Sequence, residues 1–324
     1  MPFVAAAVVG GLLFGTHHTK VPPLVHPSAA VPVPPPTSAG SPALPEAVAR
    51  KVCKGDIPHP FAGIAVKSNI VGHVASFERA TGAHLKVVEY YNRFPGTFQL
   101  SEATEAIDQG AVPMIQLNPR QATMRQIVDG QFDPQIRAYA QAVKAFTCHL
   151  IISFGHEMNG WWYHWGNTYT TPALYKQAWQ HIYDIFAAEN VTNAIWSWDP
   201  THQYQQFTAG KAASDASEWY PGDKYVNLIG VDGYLNPGQN FAEVFAHVLA
   251  NIRSVAHKPI FIAETGVAPN SNASAQIAEL FTGLRTYKLA GLIWFEDVAK
   301  QHWPLEGRPA ADKAYQNEIA HFPK

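Results

Sequence analysis

The sequence predicts an α/β chain folded as a (β/α)8 TIM barrel, preceded by a disordered Pro-rich N-terminal segment. Eight short apolar runs follow one another between residues 61 and 295. Their starts lie 24 to 43 residues apart, the size of a strand–helix unit. The segments between them carry helix-start signals and helical periodicity. The runs are continuously apolar, as parallel strands buried on both faces require. An open doubly wound sheet is the competing arrangement, but no Gly-rich phosphate loop follows the first run.

Residues 1–20 read as a signal peptide or an N-terminal membrane anchor. Phe3 to Phe14 is an apolar stretch of signal-peptide length, too short for a comfortable membrane span, with no Lys or Arg before it. Residues 21–50 form a Pro-rich linker centred on Pro34-Pro35-Pro36, a composition that cannot bury a core. The expectation is a secreted or extracytoplasmic protein, with a disordered cytosolic tail as the alternative. Residues 51–324 form the barrel domain. Its expected strands are Phe61–Val66, Leu85–Tyr91, Val112–Leu117, Leu150–Phe154, Asn193–Trp198, Asn227–Val231, Pro259–Ala263 and Ala290–Phe295. Asp133-Pro134 supplies an N-cap and a first-turn proline for a helix over Gln135–Phe146. Thr171-Pro172 repeats the device before Ala173–Ala188, and further helices are expected over Phe241–Val255 and Ala275–Tyr287.

The 324 residues are 47% hydrophobic and 15% charged, which suits one large globular domain with a sizeable core. A net charge of −2 gives no electrostatic reason to expect nucleic acid or an anionic membrane surface as a partner. Cys53 and Cys148 sit in no C-x-x-C or Cys/His pattern, so neither a metal nor any other cofactor is expected. Both precede strands, the first and the fourth, and so fall at one end of the barrel. They either pair as a disulfide or remain as two buried thiols.

Barrel enzymes carry their chemistry at the C-terminal ends of the strands. Two glutamates sit there. Glu157 lies in His156-Glu157-Met158-Asn159-Gly160 behind the fourth run, and Glu264 ends the seventh in Ile262-Ala263-Glu264-Thr265-Gly266. The stretch Gly160–Thr171 adds three Trp and two Tyr. Flat rings stack on the apolar faces of sugars, and a pair of carboxyl groups is the equipment for cleaving a glycosidic bond. The bland reading of Glu157 is a structural ion pair, yet only His164 is basic between it and Lys176. A zinc-protease motif fails because Gly160 stands where its second His belongs, and no G-x-S-x-G occurs. Asp199 and Asp232 end the fifth and sixth strands, where hydrogen bonding to loop amides is the expected role.

The block from His156 to Gly160 with Trp162-Tyr163-His164-Trp165-Gly166 resembles the motif of glycoside hydrolase family 26. Trp196-Ser197-Trp198-Asp199-Pro200, Gly230-Val231-Asp232-Gly233-Tyr234 and Trp294-Phe295 agree with it. The family contains mainly endo-β-1,4-mannanases, with some β-1,3-1,4-glucanases and β-1,3-xylanases. The resemblance implies a retaining hydrolase with Glu157 as acid/base and Glu264 as nucleophile. It implies sugar contacts for His156, a leaving-group subsite at Trp162, a nucleophile contact for Tyr234, and a floor under the reacting sugar at Trp294. Trp165 and Trp198 are expected to add sugar-binding surface. Strand 3 ends in Gln116-Leu117-Asn118-Pro119, where many mannanases of the family carry a His. Asn118 is therefore expected beside His156 at the sugar's 2-hydroxyl. The expected partner is a polysaccharide, mannan first and β-glucan second, bound by a monomer in an open cleft. A barrel that binds carbohydrate without cleaving it is the distant alternative.

Overall fold

The computed structural model describes residues 53, 57, 59–202, 205–206, 211–297 and 303–322. The stretches read as signal or anchor (1–20) and as linker (21–50) lie outside the described residues. The predicted (β/α)8 barrel is present. Its strands are β1 (Phe61–Ala65), β2 (Val87–Arg93), β3 (Val112–Asn118), β4 (Leu150–Phe154), β5 (Ala194–Trp198), β6 (Leu228–Asp232), β7 (Ile260–Thr265) and β8 (Gly291–Phe295). Each pairs in parallel with the next, and β8 closes onto β1. β2 extends to Arg93 because its polar end continues the ladder, with Asn92 and Arg93 opposite Leu117 and Asn118 of β3.

The helices are α1 (Ile70–Thr81), α2 (Leu100–Asp108), α3 (Met124–Val128), α4 (Asp133–Phe146), α5 (Pro172–Ala188), α6 (His247–Arg253), α7 (Ala273–Thr286) and α8 (Pro309–Ile319). Thr171 caps α5 as expected, its hydroxyl accepting from the Leu174 N–H at 3.3 Å. Asp133 does not cap α4. It is the first helical residue, and its carboxylate accepts from His181 Nε2 on α5 at 2.6 Å. The helix expected over Phe241–Val255 is split, with a π-helical segment at Ala242–Ala246 leading into α6. There Phe241 packs onto Phe245 at 4.8 Å and covers Gly283 of α7, where a Cβ would lie 2.3 Å from its ring. Among the described residues no helix is long and apolar enough to cross a membrane.

Strand alternation divides the core into two layers. Phe61, Val87, Met114, Ile151, Phe261 and Ile293 fill the barrel interior. The opposite faces pack against the helices, where Trp196 meets Trp179, Tyr183 and Phe186 of α5 with ring centroids 5.1 to 5.8 Å apart. One irregularity breaks the alternation. Val231 pairs with Ile262, but Asp232 pairs with Glu264, so β7 carries one extra residue at Ala263. The same bulge separates the pairs Leu292–Ile262 and Trp294–Thr265 on the other side. Ile262 faces the helices, and regular alternation would send Glu264 after it. The bulge turns Glu264 back into the barrel mouth.

Cys53 and Cys148 form a disulfide that spans 95 residues of sequence. The backbone carries the join further, with the His149 N–H donating to the Cys53 carbonyl at 2.9 Å. Closing a loop of that size restricts the unfolded chain, an effect worth about 2–4 kcal/mol. Replacing both cysteines by Ala should lower the unfolding free energy by that amount in urea titration. An unchanged midpoint would show the bridge adds nothing to stability.

Candidate active site

The residues after β4 build one wall of the barrel mouth, and each member of His156–Gly160 has a separate task. Tyr175 of α5 ties down the strand end by donating to the Phe154 carbonyl at 2.9 Å. The chain then turns through the left-handed region at Gly155 (φ 58°) and Glu157 (φ 53°). That conformation is unfavourable for a glutamate, at a cost on the order of 1–3 kcal/mol. It is held by the Glu157 N–H on the Asp199 carbonyl at 2.7 Å and by the Gly160 N–H on the Glu157 carbonyl at 2.9 Å. Met158 is buried in the core. Asn159 clamps the neighbouring loop, donating to the carbonyls of Thr201 and Ser214 at 2.9 and 3.1 Å and accepting from the Thr201 N–H at 2.9 Å. Gly160 leaves room for Trp162, whose ring would lie 2.7 Å from any Cβ there.

Trp162 leans over that glycine and donates its Nε1–H to Glu157 Oε2 at 2.6 Å. The ring is 37% exposed and faces solvent beside Glu157. His156 is buried with its Nδ1 2.8 Å from Asn118 Oδ1. An amide oxygen only accepts, so Nδ1 carries the proton and Nε2 keeps its lone pair. Burial, and then the nearby Arg120 charge, push His156 down to about 3, so the ring is neutral.

Glu264 meets two tyrosines. Tyr234 donates to Oε2 at 2.6 Å, as expected, and Tyr91 of β2 donates to Oε1 at 2.7 Å. Tyr91 escaped the sequence reading because it sits in an apolar strand. Only its alternation with the inward Val87 could have marked it. Burial raises the Glu264 carboxyl, while the two hydroxyls oppose the shift by favouring the ionised form. Burial and the adjacent Glu264 charge push Glu157 up to about 8, against the pull of the Trp162 bond. The two carboxyls are thus held apart in protonation.

Three expected sugar platforms are placed elsewhere. Trp198 and Trp294 are fully buried on the outward faces of β5 and β8. Trp198 packs on Tyr220 at 5.2 Å, and Trp294 packs on Tyr315 of α8 at 5.7 Å while donating to the Trp303 carbonyl. Neither ring reaches the cleft, because the odd-numbered residues of these strands face inward. Trp165 is also buried, stacked on Tyr163 at 4.2 Å and donating to the His156 carbonyl at 2.8 Å. Its place is beneath the loop. On the β8 side Phe295 lies 6.0 Å from the Tyr234 ring, and Trp303 lies 4.5 Å from it. Glu296 fixes its segment by accepting from the N–H groups of Leu305 and Glu306 at 3.2 and 3.4 Å.

Asp199 hydrogen-bonds to strand groups rather than to loop amides, accepting from the Gly230 N–H at 3.1 Å, from Gln116 at 3.0 Å and from Ser197. Asp232 does neither. Its buried carboxyl oxygens have no hydrogen-bond donor in the structure, and burial with the charges of Glu264 and Glu157 pushes it well above the carboxylate range. Among the described residues, ligand atoms of His156, Glu157 and Asp232 lie within 4.8 Å of one another. A cation there would have to displace protons from two carboxyls held toward their neutral forms.

The model of Glycosyl hydrolase family 26 matches residues 65–287. The chain belongs to glycosyl hydrolase family 26. Endoglucanase H of Acetivibrio thermocellus is 30% identical over 264 residues, covering 76% of this chain and 29% of that protein. A mannan endo-1,4-beta-mannosidase of Bacillus subtilis is 30% identical over 169 residues, covering 50% of this chain and 42% of that protein. The chain therefore spans less than half the length of either relative. The fold is shared with a modular endo-beta-1,4-mannanase of Cellulomonas fimi, with TM-score 0.63, 17% identity, and coverage of 81% of this chain and 70% of that one. A GH26 beta-mannanase of Bacteroides ovatus gives TM-score 0.58 at 15% identity, over 86% and 93% of the two chains.

The Trp162 bond favours ionised Glu157, so its removal should raise the Glu157 pKa above about 8. Carbon-13 titration of the labelled glutamate carboxyls should show the Glu157 transition moving up by roughly one unit or less in Trp162→Phe. A move to lower pH would show that the indole holds the protonated form instead.

Proposed function

We propose that this chain is a retaining, endo-acting β-glycan hydrolase, with β-1,4-mannan as its first substrate. The observation that carries the reading is the contrast between its two strand-end glutamates. Glu264 accepts two tyrosine hydroxyls, while Glu157 is raised to about 8 beside it. One is equipped to be an ionised nucleophile and the other a proton donor at neutral pH. Glu157 gives its proton to the glycosidic oxygen as Glu264 attacks the anomeric carbon, leaving a glycosyl ester on Glu264. Esterification removes the Glu264 charge that helped to raise Glu157. The Glu157 pKa then falls, and its carboxylate takes the proton of the incoming water. Turnover is lost as pH rises through about 8, where the acid loses its proton. The exposed Trp162 ring beside Glu157 suits the leaving-group sugar.

Two observations favour mixed-linkage β-glucan as the second reading. The relative aligned over 76% of this chain is named an endoglucanase. Asn118, where many family mannanases carry a His, orients His156 by accepting a hydrogen bond on its amide oxygen.

The two glutamates should separate by variant. Glu264→Ala should abolish turnover and recover it with azide, giving a product of inverted configuration. Glu157→Ala should keep activity on aryl glycosides with good leaving groups and lose about 10²–10⁴-fold on polysaccharide. Equal loss in both variants on the activated substrate, with no azide effect, would overturn the assignment.

Substrate choice is read from reducing ends released in parallel from mannan, lichenan and β-1,3-xylan. Mannan should be cleaved to a ladder of oligosaccharides from the earliest times. Rapid cleavage of lichenan with none of mannan would transfer the reading to glucan, and a single small product from the outset would exclude endo action.

A further inference from the structure

Glu89 is an unexplained charge-bearing residue deep in the barrel. It lies in the middle of β2, opposite Ala65 of β1 and Met114 of β3, and is 0% exposed. It shares the inward face with Tyr91, two residues on, which donates to Glu264 at 2.7 Å. Neither oxygen of Glu89 has a hydrogen-bond donor in the structure. The groups facing it are Glu264 of β7, which it meets at hydrogen-bonding range, Gln116 of β3, and more distantly Asp199 of β5 and Asp232 of β6. Tyr91 of its own strand completes the surroundings. The Gln116 amide donates to Asp199 at 3.0 Å and also works against the upward shift of Glu89. All these titratable neighbours are acids.

Two carboxyl groups in contact, with no cation between them, cannot both be ionised. Glu264 already has two hydroxyl donors that favour its charge, whereas Glu89 faces only the Gln116 amide, which it shares with Asp199. We propose that Glu89 keeps its proton and donates it to Glu264, as the third donor that positions the nucleophile. Burial and the charges of Glu264 and Asp199 hold the Glu89 carboxyl well above the usual range, in agreement with the geometry. Glu89 lies below the tyrosine layer and touches no sugar, so it acts through Glu264 and is a positioning residue. Its proton stays on Glu89 throughout the reaction, and no bond to it forms or breaks. The donor is in place when the Glu264 carboxylate leaves the anomeric carbon, which speeds hydrolysis of the glycosyl ester. It also keeps the acid limb of the pH profile low by stabilising ionised Glu264.

The inference rests on Glu264 as the nucleophile, which azide rescue tests separately. Glu89→Gln keeps a neutral donor of the same shape, and Glu89→Leu removes it. On an aryl β-glycoside, kcat/KM should fall less than about 10-fold in the Gln variant and about 10²-fold in the Leu variant. The acid limb should rise by about one pH unit in Leu only. Equal damage in both variants would mean that an ionised Glu89 is required, and a Leu variant with an unmoved acid limb would reduce Glu89 to packing. A measurement free of turnover runs beside it. The carbon-13 spectrum of the labelled full chain should hold a glutamate carboxyl still protonated at pH 7. Glu157 and Glu296 are raised to about 8 and about 7, so the Glu89 signal is assigned by its loss in Glu89→Gln. If that variant removes only an ionised signal, the proposal is overturned even where Glu89→Leu fails to fold.

Discussion

Keeping one carboxylate ionised among several buried carboxyls is the constraint on which this candidate active site depends. Glu89, Glu157, Asp199, Asp232 and Glu264 gather at one end of the barrel, and no Lys or Arg is among the buried residues described. Burial disfavours every charge there, and each ionised neighbour disfavours the next. The competition is settled by hydrogen-bond donors. Glu264 has two tyrosine hydroxyls, and Asp199 has Ser197, Gln116 and the Gly230 amide. Asp232 has none and is driven toward its neutral form. Glu157 has the Trp162 indole N–H and the Thr201 hydroxyl against its burial, and stays raised to about 8. The different environments of two chemically identical glutamates follow from this unequal supply.

The scaffold delivers those donors through two departures from regular geometry. The extra residue in β7 reverses the strand's alternation so that Glu264 enters the mouth. The left-handed turn at Gly155 and Glu157 swings the second glutamate off the end of β4. The turn is held by the Asp199 carbonyl and the loop behind it by Asn159. Trp162 then fits over Gly160 only because that residue has no side chain. The shape of the wall is thus a chain of dependencies running from β5 through Asn159 to the indole on Glu157.

Much of the fold was legible in the chain because a parallel barrel writes itself as repeated, fully apolar runs separated by capped helices. The same property hid which face each strand residue occupies. In runs apolar on both sides, Trp198 and Trp294 looked like rim platforms, yet both point at the helices. Tyr91 and Glu89 looked like interior strand residues with no assigned task, yet both turn toward Glu264. Trp303 follows β8 in an irregular segment with no period to mark it. Asp133 read as a cap by its place before Pro134, but its partner is a histidine on the next helix.

The sequence by itself determined the barrel, the two glutamates at strand ends and the aromatic loop behind one of them. Local pattern suffices for these, since strand length, helix punctuation and motif spacing are encoded over neighbouring residues. Only the tertiary structure decided the pairing of Cys53 with Cys148, the bulge that aims Glu264, and the sharing of donors among the buried carboxyls. Those depend on contacts between residues far apart in the chain, where register and burial set which proton stays and which charge survives.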